Sequence, residues 1–180
     1  MNYSSAQLTK KTWLVGGTGL FNSTQYKNGR TVGFTPGFKT TTIQLSPNIA
    51  YFFVNKFAAG LKTSYEYYQE RLLSASDISS RSTTYNFGPF VRYYFLSLNK
   101  KINLLIDGSY QHGVERVDGL RGSPLEKFTK NTLAIAAGPV VYFNSSVGLE
   151  LLVGLSNESY NKFAGENNTV QMGLGLQVHL

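Results

Sequence analysis

The sequence predicts an all-β protein in which eight antiparallel strands close into an up-and-down barrel. Three observations carry this prediction. Apolar and polar residues alternate along eight segments, the connections alternate between long polar stretches and tight turns, and three segments contain a similar proline–aromatic pattern. Alternation with a period of two is the signature of a strand with two different faces.

The C-terminal segment, residues 169–180, shows this alternation without an exception. The large apolar residues occupy every even position: Val170, Met172, Leu174, Leu176, Val178 and Leu180. Every odd position is polar or glycine. Successive side chains of a strand point to opposite faces, so the segment predicts a strand that must pair within a sheet.

Seven further segments repeat the pattern. The eight predicted strands cover 12–22, 40–53, 57–68, 83–95, 102–111, 132–143, 147–156 and 169–180. In the first strand the faces are least distinct, and the predicted apolar face there is Trp13, Val15, Gly17, Gly19 and Phe21. The predicted long loops are 23–38, 70–82, 112–130 and 157–168, and the predicted short turns are 54–56, 97–101 and 144–146.

Pro47, Pro89 and Pro139 stand at equivalent places in the second, fourth and sixth strands. Aromatic residues and a short turn follow each of them. Proline cannot donate a ladder hydrogen bond and is unusual inside a central strand. The repetition therefore predicts one local irregularity used three times, a β-bulge.

Composition restricts the class of protein. Charged residues make up 15% of the chain, below the roughly 25% usual for soluble domains. No apolar run reaches the length of a membrane helix, which needs about 18 residues. The net charge is +7, but no basic stripe accompanies it, so nucleic-acid binding is not predicted. The absence of cysteine leaves the redox compartment open.

Charge is sorted between the two strand faces. Six ionisable residues all lie on the polar face: Lys62, Glu66, Arg92, Asp107, Glu150 and His179. The apolar face carries no charge inside any predicted strand, and the polar face consists mainly of small residues that suit a narrow lumen. This arrangement predicts a transmembrane β-barrel, with its apolar face toward lipid and its polar face inside.

Aromatic residues gather at both ends of the predicted strands, as expected for the two interfacial girdles of a membrane barrel. The predicted periplasmic girdle is Trp13, Tyr51, Phe53, Phe57, Tyr93, Phe95 and Phe143. The predicted outer girdle is Phe21, Tyr65, Tyr67, Tyr85 and Tyr110.

On these features the chain resembles the small eight-stranded outer-membrane β-barrels, the OmpA/OmpX-like superfamily. The resemblance covers residues 12–180 and implies an integral protein of the Gram-negative outer membrane, with 1–11 as a short periplasmic segment. The N-terminal residues lack an apolar secretory core, so export implies a signal that has already been removed. Many relatives end on phenylalanine, whereas this chain ends His179-Leu180.

The fold hosts structural proteins, adhesins, lipid enzymes and subunits of larger assemblies. A lipid A or phospholipid hydrolase or acyltransferase would need a serine–histidine–carboxylate arrangement. His112 lies three residues from Ser109 on the opposite strand face, and His179 lies at the end of the lumen face. Neither predicts a catalytic site, and no motif for a metal or cofactor occurs. The sequence favours a scaffold or accessory subunit, with a lipid enzyme or a narrow pore as alternatives.

The lumen is predicted to be plugged, because an eight-stranded barrel is only wide enough for side chains to fill it. The predicted ion-pair network is Lys62, Glu66, Arg92, Asp107 and Glu150, extended by Gln44 and Gln111. Buried charges must pair, since an unpartnered one costs several kcal/mol.

The long loops are predicted to lie outside the cell and both termini in the periplasm. These loops carry a basic excess, which predicts contact with outer-membrane lipids, with the phosphates of lipopolysaccharide or with another outer-membrane protein. The predicted contact residues are Arg71, Arg81, Arg116, Arg121, Lys127 and Lys130.

Overall fold

The computed structural model describes residues 8–26, 37–73, 79–97, 100–118, 126–161 and 166–180. Eight antiparallel strands follow one another around a closed barrel, which confirms the predicted fold class. The strands are β1 (Trp13–Tyr26), β2 (Phe38–Val54), β3 (Phe57–Leu72), β4 (Ser79–Tyr94), β5 (Ile102–Asp118), β6 (Glu126–Tyr142), β7 (Val147–Tyr160) and β8 (Glu166–His179). No helix in these ranges is long and apolar enough to cross a membrane.

The strands are longer than predicted at the end that carries the long loops. The predicted loop 112–130 was wrong over most of its length, because β5 continues to Asp118 and β6 begins at Glu126. The same extension shortens the other three predicted loops. Polar residues there pair as strand beyond the apolar belt, where both faces of the sheet meet water or other polar groups, so composition alone resembles a loop.

The two faces of the sheet differ as the alternation predicts. The outward residues of β8 are exposed, from Val170 at 72% to Leu176 at 55%. In β4 and β5 the inward residues are buried, among them Phe90, Arg92 and Asp107. In β1 the residues that pair with the outward face of β2 are Trp13, Val15, Gly17, Gly19 and Phe21. The exposed apolar side chains form a belt around the barrel.

The three prolines do not form bulges, and that prediction was wrong. The register of each strand is unchanged on either side of its proline. Pairing with the following strand is instead interrupted at Ser46-Pro47, at Gly88-Pro89 and at Gly138-Pro139, since proline has no N–H to donate there. Within the described residues the one register shift lies at Phe52/Val54, beside a short turn.

Glycine before proline permits a close approach at two of these places. A Cβ on Gly88 would collide with the carbonyl oxygen of Tyr110, and one on Gly138 with the carbonyl oxygen of Leu151. At these two interruptions the strands approach so closely that only glycine fits.

The barrel closes between β1 and β8 over part of their length. Their ladder runs from Leu14 opposite His179 to Gly19 opposite Leu174. Beyond this point no pairing joins the described residues of β1 and β8, although both continue toward the long-loop end. We call the parts of these two strands that do not pair with each other the seam. They are residues 20–26 of β1 and 166–173 of β8.

The short-turn end of the barrel is filled. Leu8 is fully buried there, and its carbonyl accepts a hydrogen bond from the Lys56 amide at 2.9 Å. The Lys11 amide donates to the Phe52 carbonyl at 2.9 Å, which holds the segment before β1 against the barrel. Leu8 belongs to a cluster of buried apolar side chains that also includes Leu14, Phe52, Tyr94, Leu105 and Tyr142.

Candidate functional site

A charged network crosses the lumen above this apolar cluster. Arg92 is 1% exposed and lies between two carboxylates. Its Nη2 is 2.9 Å from Oδ2 of Asp107, and its Nη1 is 2.8 Å from Oε2 of Glu150. Lys62 contacts the other oxygen of Asp107. Two cations and two anions thus form a neutral quartet, as a buried site of low dielectric requires.

Neutral side chains complete the contacts of this quartet. The Gln177 side-chain oxygen accepts hydrogen bonds from the Tyr94 hydroxyl and, at 3.4 Å, from Arg92 Nη1. Gln111 donates through Nε2 to the Lys62 carbonyl at 3.1 Å. Gln44 lies apart, with Nε2 donating to Ser46 Oγ at 3.5 Å. The quartet and Gln177 therefore join β3, β4, β5, β7 and β8 across the lumen.

Glu66 does not belong to the quartet, contrary to the sequence prediction. It lies four residues beyond Lys62 on β3, about 13 Å further along the strand toward the long loops. Its neighbours in the register are Gln44 and Thr84. Height along the barrel, rather than the face that it shares with Lys62, separates Glu66 from the quartet.

A second polar cluster lies near the long-loop end. Lys130 Nζ is 2.7 Å from Glu158 Oε1. The Tyr160 hydroxyl contacts Glu115 at 3.0 Å and Glu158 at 3.3 Å, and Ser82 donates to Glu115. Tyr160 lies beyond the lipid-facing part of β7, and burial together with the Glu158 and Glu115 carboxylates raises the pKa of its hydroxyl well above the usual range.

The two histidines lie at opposite ends of the barrel and on opposite faces. His112 is exposed on the outer wall and its Nδ1 is 2.8 Å from Asn131 Oδ1, whereas Ser109 is buried in the lumen. His179 packs in the lumen against the rings of Phe52 and Tyr142. Around neither histidine do the described residues assemble a serine–histidine–carboxylate arrangement. Over the same ranges no group of three His, Cys, Asp or Glu is placed to hold a metal ion.

Most residues of the predicted girdles are exposed on the outer surface. Toward the short turns, Trp13 packs edge-on against Tyr51 at 5.1 Å, and Tyr93 packs likewise against Phe95 at 5.1 Å. Phe53 and Phe143 are exposed and Phe57 is half-buried. Toward the long loops, Tyr65 and Tyr85 are 5.2 Å apart, Phe21 and Tyr110 are exposed and Tyr67 is half-buried.

The predicted lipopolysaccharide contacts divide into two groups. Exposed residues on the outward face of the strand ends include Arg71, Arg81, Arg116 and Lys127. Lys130 is 2% exposed and paired inside the barrel, so the prediction for Lys130 was wrong. On β6 Lys130 is two residues from the buried Thr132, so both side chains lie on the face toward the lumen. Arg121 lies outside the described residues.

Sequence reasoning missed Tyr94, Gln177, Glu115, Glu158 and Tyr160 as lumen residues with specific partners. Tyr94 and Gln177 lie on the predicted polar face, so the alternation along their strands already predicted that they point into the lumen. Glu115, Glu158 and Tyr160 fell in segments predicted as loops, where strand parity was not applied. Extending the alternation into those segments would have found them.

A closed, antiparallel, eight-stranded barrel with an apolar outer belt and a polar, charged lumen is the architecture of a small outer-membrane β-barrel. This chain is therefore a transmembrane barrel of that class, whose members lie in the bacterial outer membrane.

Three solved structures are similar to this barrel. The crystal structure of Neisserial surface protein A is similar, with a TM-score of 0.52 and 13% identity over 93% of this chain and 96% of that one. The N-terminal barrel of Pseudomonas aeruginosa OprF gives 0.47 and 11%, over 95% and 98%. Ail of Yersinia pestis gives 0.45 and 16%, over 96% and 100%.

At 13% identity the likeness to the Neisserial protein shows a shared fold. No protein-family model matches the sequence. A search of curated proteins finds no match either.

Proposed function

We propose that this chain is a non-enzymatic scaffold or accessory subunit of the bacterial outer membrane, with a lumen that does not conduct. The observation that carries the proposal is the quartet of Lys62, Asp107, Arg92 and Glu150, which crosses the lumen above a buried apolar cluster. Side chains fill an eight-stranded barrel at this level, so no continuous water path is expected.

The interaction surface in this proposal is the long-loop end, which faces the cell exterior, with both termini in the periplasm. Basic residues line the outward face of five neighbouring strands there: Lys39, Arg71, Arg81, Arg116 and Lys127. Lys39 lies directly opposite Arg71, and Arg116 directly opposite Lys127. Like charges in opposed positions destabilise a sheet. An anionic partner would remove that repulsion, and the phosphates of lipopolysaccharide have this charge.

Conductance tests the plug. Wild-type protein in planar bilayers is expected to show no sustained open state. A stable, large conductance would contradict the plugged scaffold and favour a porin.

Thermal stabilisation tests the anionic contact. Lipopolysaccharide added to the barrel in neutral detergent should raise the unfolding temperature, and Arg116→Ala with Lys127→Ala should reduce that rise. The matched control is Lys100→Ala with Lys101→Ala, two exposed lysines at the other end of the barrel. The rise should fall with added salt, because the Debye length is about 8 Å at physiological ionic strength. Equal loss in both double variants would refute the contact.

Topology can be tested in intact cells. External protease should cut within the long loops and not at residues 99–100. Cleavage at 99–100 from outside would reverse the orientation.

A further inference from the structure

A groove of about 800 Å³ runs across the outer wall of the barrel, within the apolar belt. It lies between two rows of outward side chains. The first row follows the ladder pairs from strand to strand: Val91, Gly108, Ile135, Leu155 and Val170. The second row lies two positions nearer to the long loops, contains Tyr110, and ends at Asn157 and Asn168. The rows are about 7 Å apart, because a strand rises about 3.3 Å per residue.

Gly108 lies at the floor of this groove, and packing within the chain does not require a glycine there. A Cβ at this position would meet the Val91 side chain at 3.8 Å, an ordinary contact. At Gly88 and Gly138, by contrast, a Cβ would collide with a backbone carbonyl oxygen. Glycine inside a strand costs stability relative to alanine. It often marks a place where a ligand approaches the backbone closely. The open floor therefore favours an occupant from outside the chain.

The groove has the length and the direction of one lipid acyl chain. It crosses the five strands from β4 to β8. At about 4.8 Å per strand this is about 19 Å, and one leaflet of the hydrocarbon core is about 15 Å thick. Its first row begins at Val91, three residues from the short-turn end of β4, and ends at Val170, nine residues from that end of β8. The groove therefore climbs toward the long loops.

The upper end of the groove is polar. Asn157 and Asn168 lie opposite each other there, and Asn157 Nδ2 donates to Asn168 Oδ1 at 3.0 Å and to Glu166 at 3.3 Å. Asn168 is exposed, so its carboxamide can donate to a carbonyl oxygen from outside the chain. Still nearer to the long loops, β5 and β6 carry Arg116 and Lys127 opposite each other. An acyl linkage would meet the amides, and phosphates above it would meet the basic pair.

We propose that this outer-wall groove binds one acyl chain of lipopolysaccharide, with the chain over Gly108 and its acyl carbonyl at Asn168. The inference rests on the orientation proposed above, in which the long loops face the exterior and the groove opens toward the outer leaflet. It deepens the anionic contact, because it adds the apolar half of the same ligand. The chain gains wall contacts that a side chain at Gly108 would displace.

Relief of fluorescence quenching tests the groove. The whole chain is folded into vesicles of phosphatidylcholine with brominated acyl chains, which quench tryptophan at the lipid face. Trp13→Phe removes the one native tryptophan, and Tyr110→Trp places a reporter on the groove wall. The matched reporter is Tyr85→Trp, at an exposed tyrosine of the predicted outer girdle that does not line the groove. Lipopolysaccharide, which is not brominated, is then added in increasing mole fractions.

Lipopolysaccharide in the groove displaces a brominated chain, so the fluorescence of the Tyr110→Trp variant should recover. Half-recovery should need about ten-fold less lipopolysaccharide than for Tyr85→Trp, because hydrogen bonds to a charged group contribute a factor of at least this size. Adding Gly108→Leu fills the floor and should bring the two midpoints together. The matched control is Ala137→Leu, at an exposed outward alanine outside the groove, which should leave the difference unchanged. Heat-modifiable gel migration shows that each variant is folded.

Equal midpoints for the two reporters, or a difference that survives Gly108→Leu, would overturn the proposal. Weak quenching of the Tyr110→Trp variant before lipopolysaccharide is added would mean that another protein chain covers the groove. Equal recovery with phosphatidylglycerol would mean that any anionic lipid fits. Either result also overturns the proposal.

The anionic contact of the proposed function is tested separately, by adding Arg116→Ala and Lys127→Ala to the same reporters. If these changes abolish the difference and Gly108→Leu does not, the anionic contact stands and the groove proposal fails. A difference that is lost only with Gly108→Leu gives the reverse result.

Discussion

Arg92 is the residue on which the stability of the lumen depends most. Replacing it with alanine removes the cation between Asp107 and Glu150. Asp107 keeps Lys62, but Glu150 is 1% exposed and loses its ion-pair partner. Removing one member of a buried pair costs about 3–5 kcal/mol, because the other charge stays buried. Arg92→Ala should lower the free energy of unfolding by that amount. Arg81→Ala, on the outer wall, should change it by less than about 0.5 kcal/mol.

A double-mutant cycle separates this effect from lost packing. Adding Glu150→Ala to Arg92→Ala removes the stranded carboxylate, so the double variant should be less destabilised than the sum of the two single variants. Trp13 is the one tryptophan of the chain, and its fluorescence can report reversible urea unfolding in vesicles. Strict additivity, or a loss below about 1 kcal/mol for Arg92→Ala, would refute the reasoning.

Further predictions concern the close strand contacts and the lipid face. Gly138→Ala should lower the free energy of unfolding by about 1–3 kcal/mol, because the new Cβ collides with the Leu151 carbonyl. Gly108→Ala should be nearly neutral, because its new Cβ meets only ordinary contacts. Urea unfolding measures both changes. Val153→Arg, within the apolar belt, should cost about 2–4 kcal/mol, and Ser159→Arg, beyond it, about 0–1 kcal/mol in the same assay. Equal costs within either pair would contradict the placement of the strands.

Parity along each strand was predictable from sequence because it is a local property. Alternation assigned Lys62, Arg92, Asp107 and Glu150 to the lumen, and each lies there in the structure. It depends only on the strand period of two. The same rule, applied to the residues before the predicted start of the sixth strand at Thr132, would have placed Lys130 inside the barrel.

Contacts across the lumen depend on how the strands are staggered and tilted, which no single strand encodes. Arg92 reaches Glu150, 58 residues away, and Gln177, 85 residues away. Glu66 shares a face with Lys62 and still misses the quartet, because barrel shear sets which heights meet. The proline effect was mispredicted for a different reason. A missing N–H can interrupt a ladder without shifting its register, and sequence does not distinguish the two outcomes.

The lumen divides at the height where the β1–β8 ladder ends. Below Gly19 and Leu174 the strands, β1 and β8 included, are paired except at the proline interruptions, and the apolar cluster and quartet fill the lumen. Above that height the facing edges of β1 and β8 do not pair with each other. A backbone group left unsatisfied at such an edge costs several kcal/mol where it faces lipid. The lower half must therefore supply the stability that holds the seam in place. A change such as Arg92→Ala should then act on the whole barrel.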